Sequence, residues 1–201
     1  MTVYEEDVVI LAVQMEVEPA DEQALNEWYR AHVPRVIAAG GYCFGARYVS
    51  ADAPRVYLAL YEIETRDWVP RLVGPDPAIR SEVVNSEAEL CARLRGLNRI
   101  VTELYEHVGG PSRASGPLLR AGCGLEILRT QSRPVIDDRT GEHPGLPRTV
   151  ALQRVPMSEL AHHETLSDGM VIRPANEPEA VAASPTLWRR YRPLAKHWRL
   201  Q

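Results

Sequence analysis

The chain has 201 residues, 45% hydrophobic and 25% charged, with a formal net charge of −4. This is the composition of a soluble globular protein, long enough for one large domain or for a compact domain with an extension. No block of like charge favours nucleic acid or an anionic membrane as partner.

No apolar run is long enough to cross a bilayer, and the start, MTVYEEDVV, lacks the basic segment and apolar stretch of a signal peptide. A cytoplasmic location is the expectation. Cys43, Cys91 and Cys123 are odd in number and widely spaced, so they form no disulfide framework or zinc motif and are expected to be buried thiols.

Residues 8–17 (VVILAVQMEV) are rich in β-branched residues, and both alternate faces are apolar for most of their length. They predict a strand covered on both sides. Pro19 and Asp21 signal a helix start. Leu25, Trp28, Tyr29, His32, Val36 and Ile37 then recur at three- and four-residue spacing and form one helical face. Pro34 is expected to kink or loosen this helix, which should stop by Gly40-Gly41.

Residues 42–50 and 55–64 read as a strand pair joined through Asp52 and Pro54. Residues 78–97 read as a second helix, and residues 99–108 (RIVTELYEHV) as a fourth strand. The order is β-α-β-β-α-β, an α+β, ferredoxin-like arrangement occupying residues 1–110. A sheet with helices on one side needs cover on the other, from a partner chain or from the C-terminal half.

Residues 109–116 (GGPSRASG) have the composition of a linker. Beyond it, residues 117–201 form an α/β extension or a degenerate second ferredoxin-like half. Strands are predicted at 123–131, 149–155 and 169–173, a short helix at 158–166, and a terminal helix at 185–200 interrupted by Pro193.

Residues 15–49 (MEVEPADEQALNEWYRAHVPRVIAAGGYCFGARYV), followed by RVYLALYEIE, resemble the dimeric α/β-barrel superfamily and within it the EthD-like branch. Trp28, Tyr29, His32, Pro34, Arg47, Tyr48 and the run Tyr57 to Glu62 carry the resemblance, which covers residues 8–108. Gly41-Tyr42-Cys43-Phe44 stands where the family has a shorter link. The resemblance implies a barrel of two packed sheets, formed by a homodimer or a pseudo-dimer, with a pocket between each sheet and its helices. Relatives include cofactor-free monooxygenases, lactone isomerases, polyketide cyclases, dehydratases and haem-binding enzymes, so the fold is implied more sharply than the activity.

His32 shares the sheet-facing side of the first helix with Trp28 and Tyr29. A histidine in an apolar cleft can take or give a proton. The competing reading is a core histidine that fixes helix to sheet. Tyr29 can donate to a developing enolate oxygen. Trp28, Tyr48, Tyr61 and Tyr105 are candidate pocket walls, and His107, on the same strand face as Tyr105, is a candidate substrate-binding group in the same pocket. Aromatic residues on strands also serve as plain sheet packing.

His162, His163 and Glu164 lack the spacing of a metal site, and Asp137-Asp138 lacks that of a calcium loop. No phosphate loop or nucleophile elbow is present. Haem is left open, with His32 or His107 as axial ligand. The expectation is a small-molecule enzyme without metal or nucleotide cofactor, acting by proton transfer (cyclisation, isomerisation or dehydration) on an aromatic, polyketide-like or lactone substrate. A cofactor-independent monooxygenase and a non-catalytic ligand-binding protein are the alternatives.

Overall fold

The computed structural model describes residues 9–39, 42–63, 89–109, 124–131, 150–154, 167–174, 188–194 and 198–199. β1 spans Val9–Val17, a 3-10 turn spans Pro19–Asp21, and α1 spans Glu22–Ala39. β2 (Tyr42–Ser50), β3 (Val56–Ile63) and β4 (Leu97–Gly109) follow, then β5 (Leu125–Thr130), β6 (Val150–Arg154), β7 (Gly169–Pro174), β8 (Trp188–Pro193) and β9 (Trp198–Arg199). Among the described residues no helix is long and apolar enough to cross a membrane.

Every pairing among these strands is antiparallel. The first four lie in the order β4-β1-β3-β2, and the next four repeat it as β8-β5-β7-β6. The edges of the two sets then pair with each other. Tyr105 of β4 stands opposite Arg154 of β6, and Tyr48 of β2 stands opposite Pro193 of β8. β1 to β8 therefore form a closed ring within one chain, with β9 added beside β2 at Phe44 and Gly45. Closure satisfies strand edges that would otherwise be open to other chains, so no second subunit is needed to complete the ring.

The alternation read in β1 sorts its side chains into two cores. Val9, Val13, Met15 and Val17 face α1 and pack with Leu25, Trp28, Tyr29, Val33 and Ile37. Ile10 and Ala12 face into the ring, where they meet Phe44, Leu60, Tyr105, Ile127, Leu152, Met170 and Tyr191. All eight ring strands contribute to that second core, the dense filling expected of a small barrel.

The 3-10 turn that leads into α1 begins after Glu18, whose extended backbone precedes Pro19, and Asp21 and Glu22 lie in the first turns of the two helical segments. These choices suit the fixed φ of proline and the positive end of the helix. The predicted apolar face is buried as read: Leu25, Trp28, Tyr29, His32, Val36 and Ile37 are all at most 8% exposed. The helix runs through Pro34 to Ala39.

Several expectations are corrected. The terminal segment holds two strands, β8 and β9, where a helix was expected. β2 and β5 both offer backbone pairing to β8, and Tyr191 alternates into the barrel between the exposed Arg190 and Arg192. β3 starts at Val56 because Arg55 has φ 61°, outside any strand conformation. Leu97 opens β4 instead of ending the second helix, whose described part is residues 89–93. Cys43 is half-buried and Cys91 is exposed. The predicted helix at 158–166, Cys123, Asp137-Asp138 and the His162-His163-Glu164 run lie outside the described residues.

Candidate active site

The layer between α1 and the sheet concentrates aromatic and polar groups. His32 is 5% exposed. Its imidazole stacks on Trp28, with centroids 4.0 Å apart and planes 15° from parallel. Tyr29 meets it edge-on at 5.8 Å and meets Trp28 edge-on at 4.8 Å. The one-turn spacing of Trp28 and His32 puts the two rings one above the other on the helix. Burial, helped by the charges of Arg35 and Arg47, lowers the His32 pKa to about 4, so the ring is neutral at physiological pH.

The Tyr29 hydroxyl donates to Met15 Sδ on β1 over 3.5 Å. A thioether is a weaker acceptor than an anionic oxygen. Tyr61 packs at 3% exposure, tilted against Tyr42 with centroids 5.5 Å apart.

Arg47 projects from β2 into the same layer. It is 4% exposed, and its guanidinium carbon lies 3.9 Å from the Tyr29 ring centroid and 5.2 Å from that of Tyr57. Its Nη1 donates to Asn26 Oδ1 on α1 over 3.1 Å. The Tyr57 hydroxyl donates to Glu22 Oε1, and burial, followed by that bond, raises the Tyr57 pKa. Arg47, Asn26 and Tyr57 were not assigned roles from sequence. Strand parity was the available signal: Arg47 lies two residues from Gly45, which abuts Val33 and Ile37 of α1.

The predicted site set divides across the sheet. Trp28, Tyr29, His32 and Tyr61 come together in the helix-facing layer. Tyr48 and Tyr105 are fully buried in the barrel interior, on the opposite face, so they do not wall the same pocket. His107 shares the parity of Tyr105, is half-buried, and stands opposite Leu152. The alternation of a strand prevents these residues from facing α1.

Tyr105 instead belongs to a polar cluster inside the ring. Its hydroxyl donates to Glu103 Oε2 over 2.8 Å and lies 3.0 Å from Ser167 Oγ. Arg129 Nη1 donates to the same Glu103 oxygen over 2.6 Å, and Nη2 reaches Gln14 Oε1 at 3.5 Å. Burial pushes the Tyr105 pKa strongly up, which keeps the phenol protonated. Every described polar group of this cluster is engaged by another, as in a structural tie.

Of the two histidines considered as haem ligands, His32 lies stacked on Trp28 in the helix-facing layer and His107 sits on the barrel-facing row of β4.

No protein-family description and no curated protein matches the sequence. Solved structures do. An anthrone oxidase-like protein aligns over 99% of this chain and 95% of its own, at 11% identity and a TM-score of 0.52. A monooxygenase-like protein from Lactobacillus acidophilus NCFM aligns over 84% and 76%, at 6% identity and a TM-score of 0.51. A chlorite dismutase-like protein aligns over 93% and 94%, at 10% identity and a TM-score of 0.50. At such identities the likeness speaks for the fold alone. The chain is an α+β protein with an antiparallel sheet, and its fold is similar to that of these three structures.

Proposed function

We propose that the chain is a small-molecule enzyme that moves a proton on an electron-rich aromatic or enolisable substrate bound between α1 and the sheet. It would work without a metal or nucleotide cofactor. The observation that supports this reading most is the buried His32 imidazole, stacked on Trp28 and edge-on to the Tyr29 ring, with the Arg47 guanidinium over that same ring.

In the proposed step a substrate C–H bond breaks and its proton goes to His32. The electron pair moves to the substrate oxygen, where Tyr29 donates a hydrogen bond and Arg47 supplies positive charge. As the oxyanion forms it offsets the charge of Arg47, so the proton affinity of His32 rises during the transfer. Trp28 and Tyr61 supply the aromatic walls. Cyclisation, isomerisation and dehydration all pass through such an anion.

A second reading is favoured by the names of the structural neighbours, which are oxidase-like and monooxygenase-like. Here the carbanion attacks dioxygen, and the resulting hydroperoxide loses water. A CH2 group and one O2 become a carbonyl and one water, with no external reductant.

The test is turnover of anthrone-type and enolisable aromatic substrates by folded wild type, His32→Gln and His32→Ala. The proposal expects a loss of at least about a hundredfold in kcat with both variants. Uptake of one O2 per substrate identifies the oxygenation reading. Wild-type rates in both variants would end the catalytic role of His32 and leave a ligand-binding protein.

A further inference from the structure

Arg47 holds a cation in the helix–sheet layer at 4% exposure, and its Nε and Nη2 have no hydrogen-bond partner among the described residues. Its Nη1 is occupied by Asn26 Oδ1, and its faces lie against Tyr29 and Tyr57. A buried charge without a counter-charge costs several kcal/mol, and two buried N–H groups left unmade add to that cost. Among the described residues no tie between strands uses the Arg47 side chain. The neighbouring helix-facing positions Gly45 and Val49 are small or apolar, and the tie between strands at this seam is made elsewhere, by Asp52 and Arg190. The protein cost is uncompensated by any contact to a described acid.

The pattern of what is used and what is left is specific. Asn26 and the two tyrosine rings fix the plane of the guanidinium. Nε and Nη2 share one edge, and on that edge two parallel N–H groups match a carboxylate, or two oxygens on one side of a planar oxyanion. Aromatic rings flank the guanidinium, Tyr29 at 3.9 Å and Tyr57 at 5.2 Å, and Trp28 lies against Tyr29.

We infer that the Nε/Nη2 edge of Arg47 is the receptor for a planar two-oxygen anion carried on an aromatic body, and that this edge selects the substrate. The inference rests on the reading of this layer as the substrate site, and it names the substrate class: an aryl carboxylate or an aryl enolate with a neighbouring oxygen. Arg47 is here a specificity-determining residue, and it holds the substrate by its charge while α1 supplies the groups that move the proton. Tyr29 stacks on the guanidinium and sits next to His32, so an anion on this edge lies within the same aromatic cluster as the imidazole.

The experiment uses benzoate, salicylate and the neutral isostere benzamide as probes. Binding is read from Trp fluorescence and from the 15N–1H resonance of the Arg47 Nε–H. The wild type should bind benzoate at least about tenfold more tightly than benzamide, and only the anions should move the Nε–H resonance. Salicylate, with a hydroxyl beside its carboxylate, separates the two substrate forms: tighter binding than benzoate favours the enolate-like pair, equal binding the simple carboxylate. Arg47→Met should abolish the preference and Arg47→Lys should keep part of it. An unmoved Nε–H resonance in the wild type, or equal affinity for benzoate and benzamide, overturns the inference even if the variants fail to fold. The same titration on His32→Gln keeps the two proposals apart. Retained anion preference with wild-type turnover would remove His32 and leave Arg47 standing, whereas lost preference in Arg47→Met alone leaves the role of His32 intact.

Discussion

Arg129 of β5 donates to Glu103 of β4 across the barrel interior over 2.6 Å, where Glu103 is 3% exposed. The pair joins strands from the two four-strand sets. Arg129→Met leaves a buried carboxylate without its cation and should destabilise the fold by about 3 kcal/mol. Glu103→Gln with Arg129→Met should recover part of that, because the uncompensated charge is gone. Urea unfolding of the single and double variants reads this out as a positive coupling in the mutant cycle. Independent, additive losses would mean that the pair is no tie.

The buried imidazole makes stability depend on pH with a defined sign. His32 has an ordinary pKa of 6.5 when unfolded and about 4 when folded. Between those values the unfolded chain binds a proton that the folded chain refuses. The contribution of His32 is therefore fully present above pH 6.5, is lost progressively as pH falls, and stops changing below pH 4. The whole effect is about 3 kcal/mol. Urea midpoints from pH 7.5 to 4 in wild type and His32→Gln should differ in slope, with the variant flatter.

Close approach of backbone to side chains makes two glycines irreplaceable to different degrees. A Cβ at Gly45 would lie 3.1 Å from Val33 Cγ1, 3.2 Å from Ile37 Cδ1 and 3.3 Å from Tyr61 Cδ1, so α1 must shift by a few tenths of an ångström. Gly45→Ala should cost about 1–2 kcal/mol. At Gly96 the Cβ would lie 2.7 Å from Glu18 Cβ, and the amide there donates to Asp21 Oδ2 over 2.6 Å. Gly96→Ala should cost more, about 2–3 kcal/mol. Thermal denaturation ranks the two, and the reverse order would contradict the packing described.

Arg55 occupies the left-handed region at φ 61° in the turn between β2 and β3. Ser50 Oγ accepts from the amides of Asp52 and Ala53 in the same turn, which holds the chain in this path. Arg55→Gly removes the clash of Cβ with its own carbonyl and should raise stability by up to about 1 kcal/mol after the entropic cost of glycine. A lower melting temperature would show that the Arg55 side chain contributes more than its backbone strain costs.

Much of the first half was legible because its local signals agree with one another. β1 reads as an alternating apolar segment and is one. The face of α1 from Leu25 to Ile37 is buried as its spacing requires, although it continues through Pro34. The terminal strands were misread because LWRRYRP carries neither a clean two-residue nor a clean helical repeat, and the pairing with β2 and β5 decides between them. In the helix-facing layer, the shared face of Trp28, Tyr29 and His32 was legible from helix spacing. Arg47 carried the resemblance but no role, because its burial depends on α1 packing over β2.

The amino-acid order alone determined which residues alternate, which share a helical face, and hence two apolar faces on β1, since these periodicities follow from the backbone. Which strands become neighbours was decided only in three dimensions. Seams such as Tyr105 opposite Arg154 and Tyr48 opposite Pro193 join residues far apart in the chain, and nothing local encodes them. That closure sends Tyr48 and Tyr105 into the barrel while Arg47 remains under α1, because each side of a strand can face only one core.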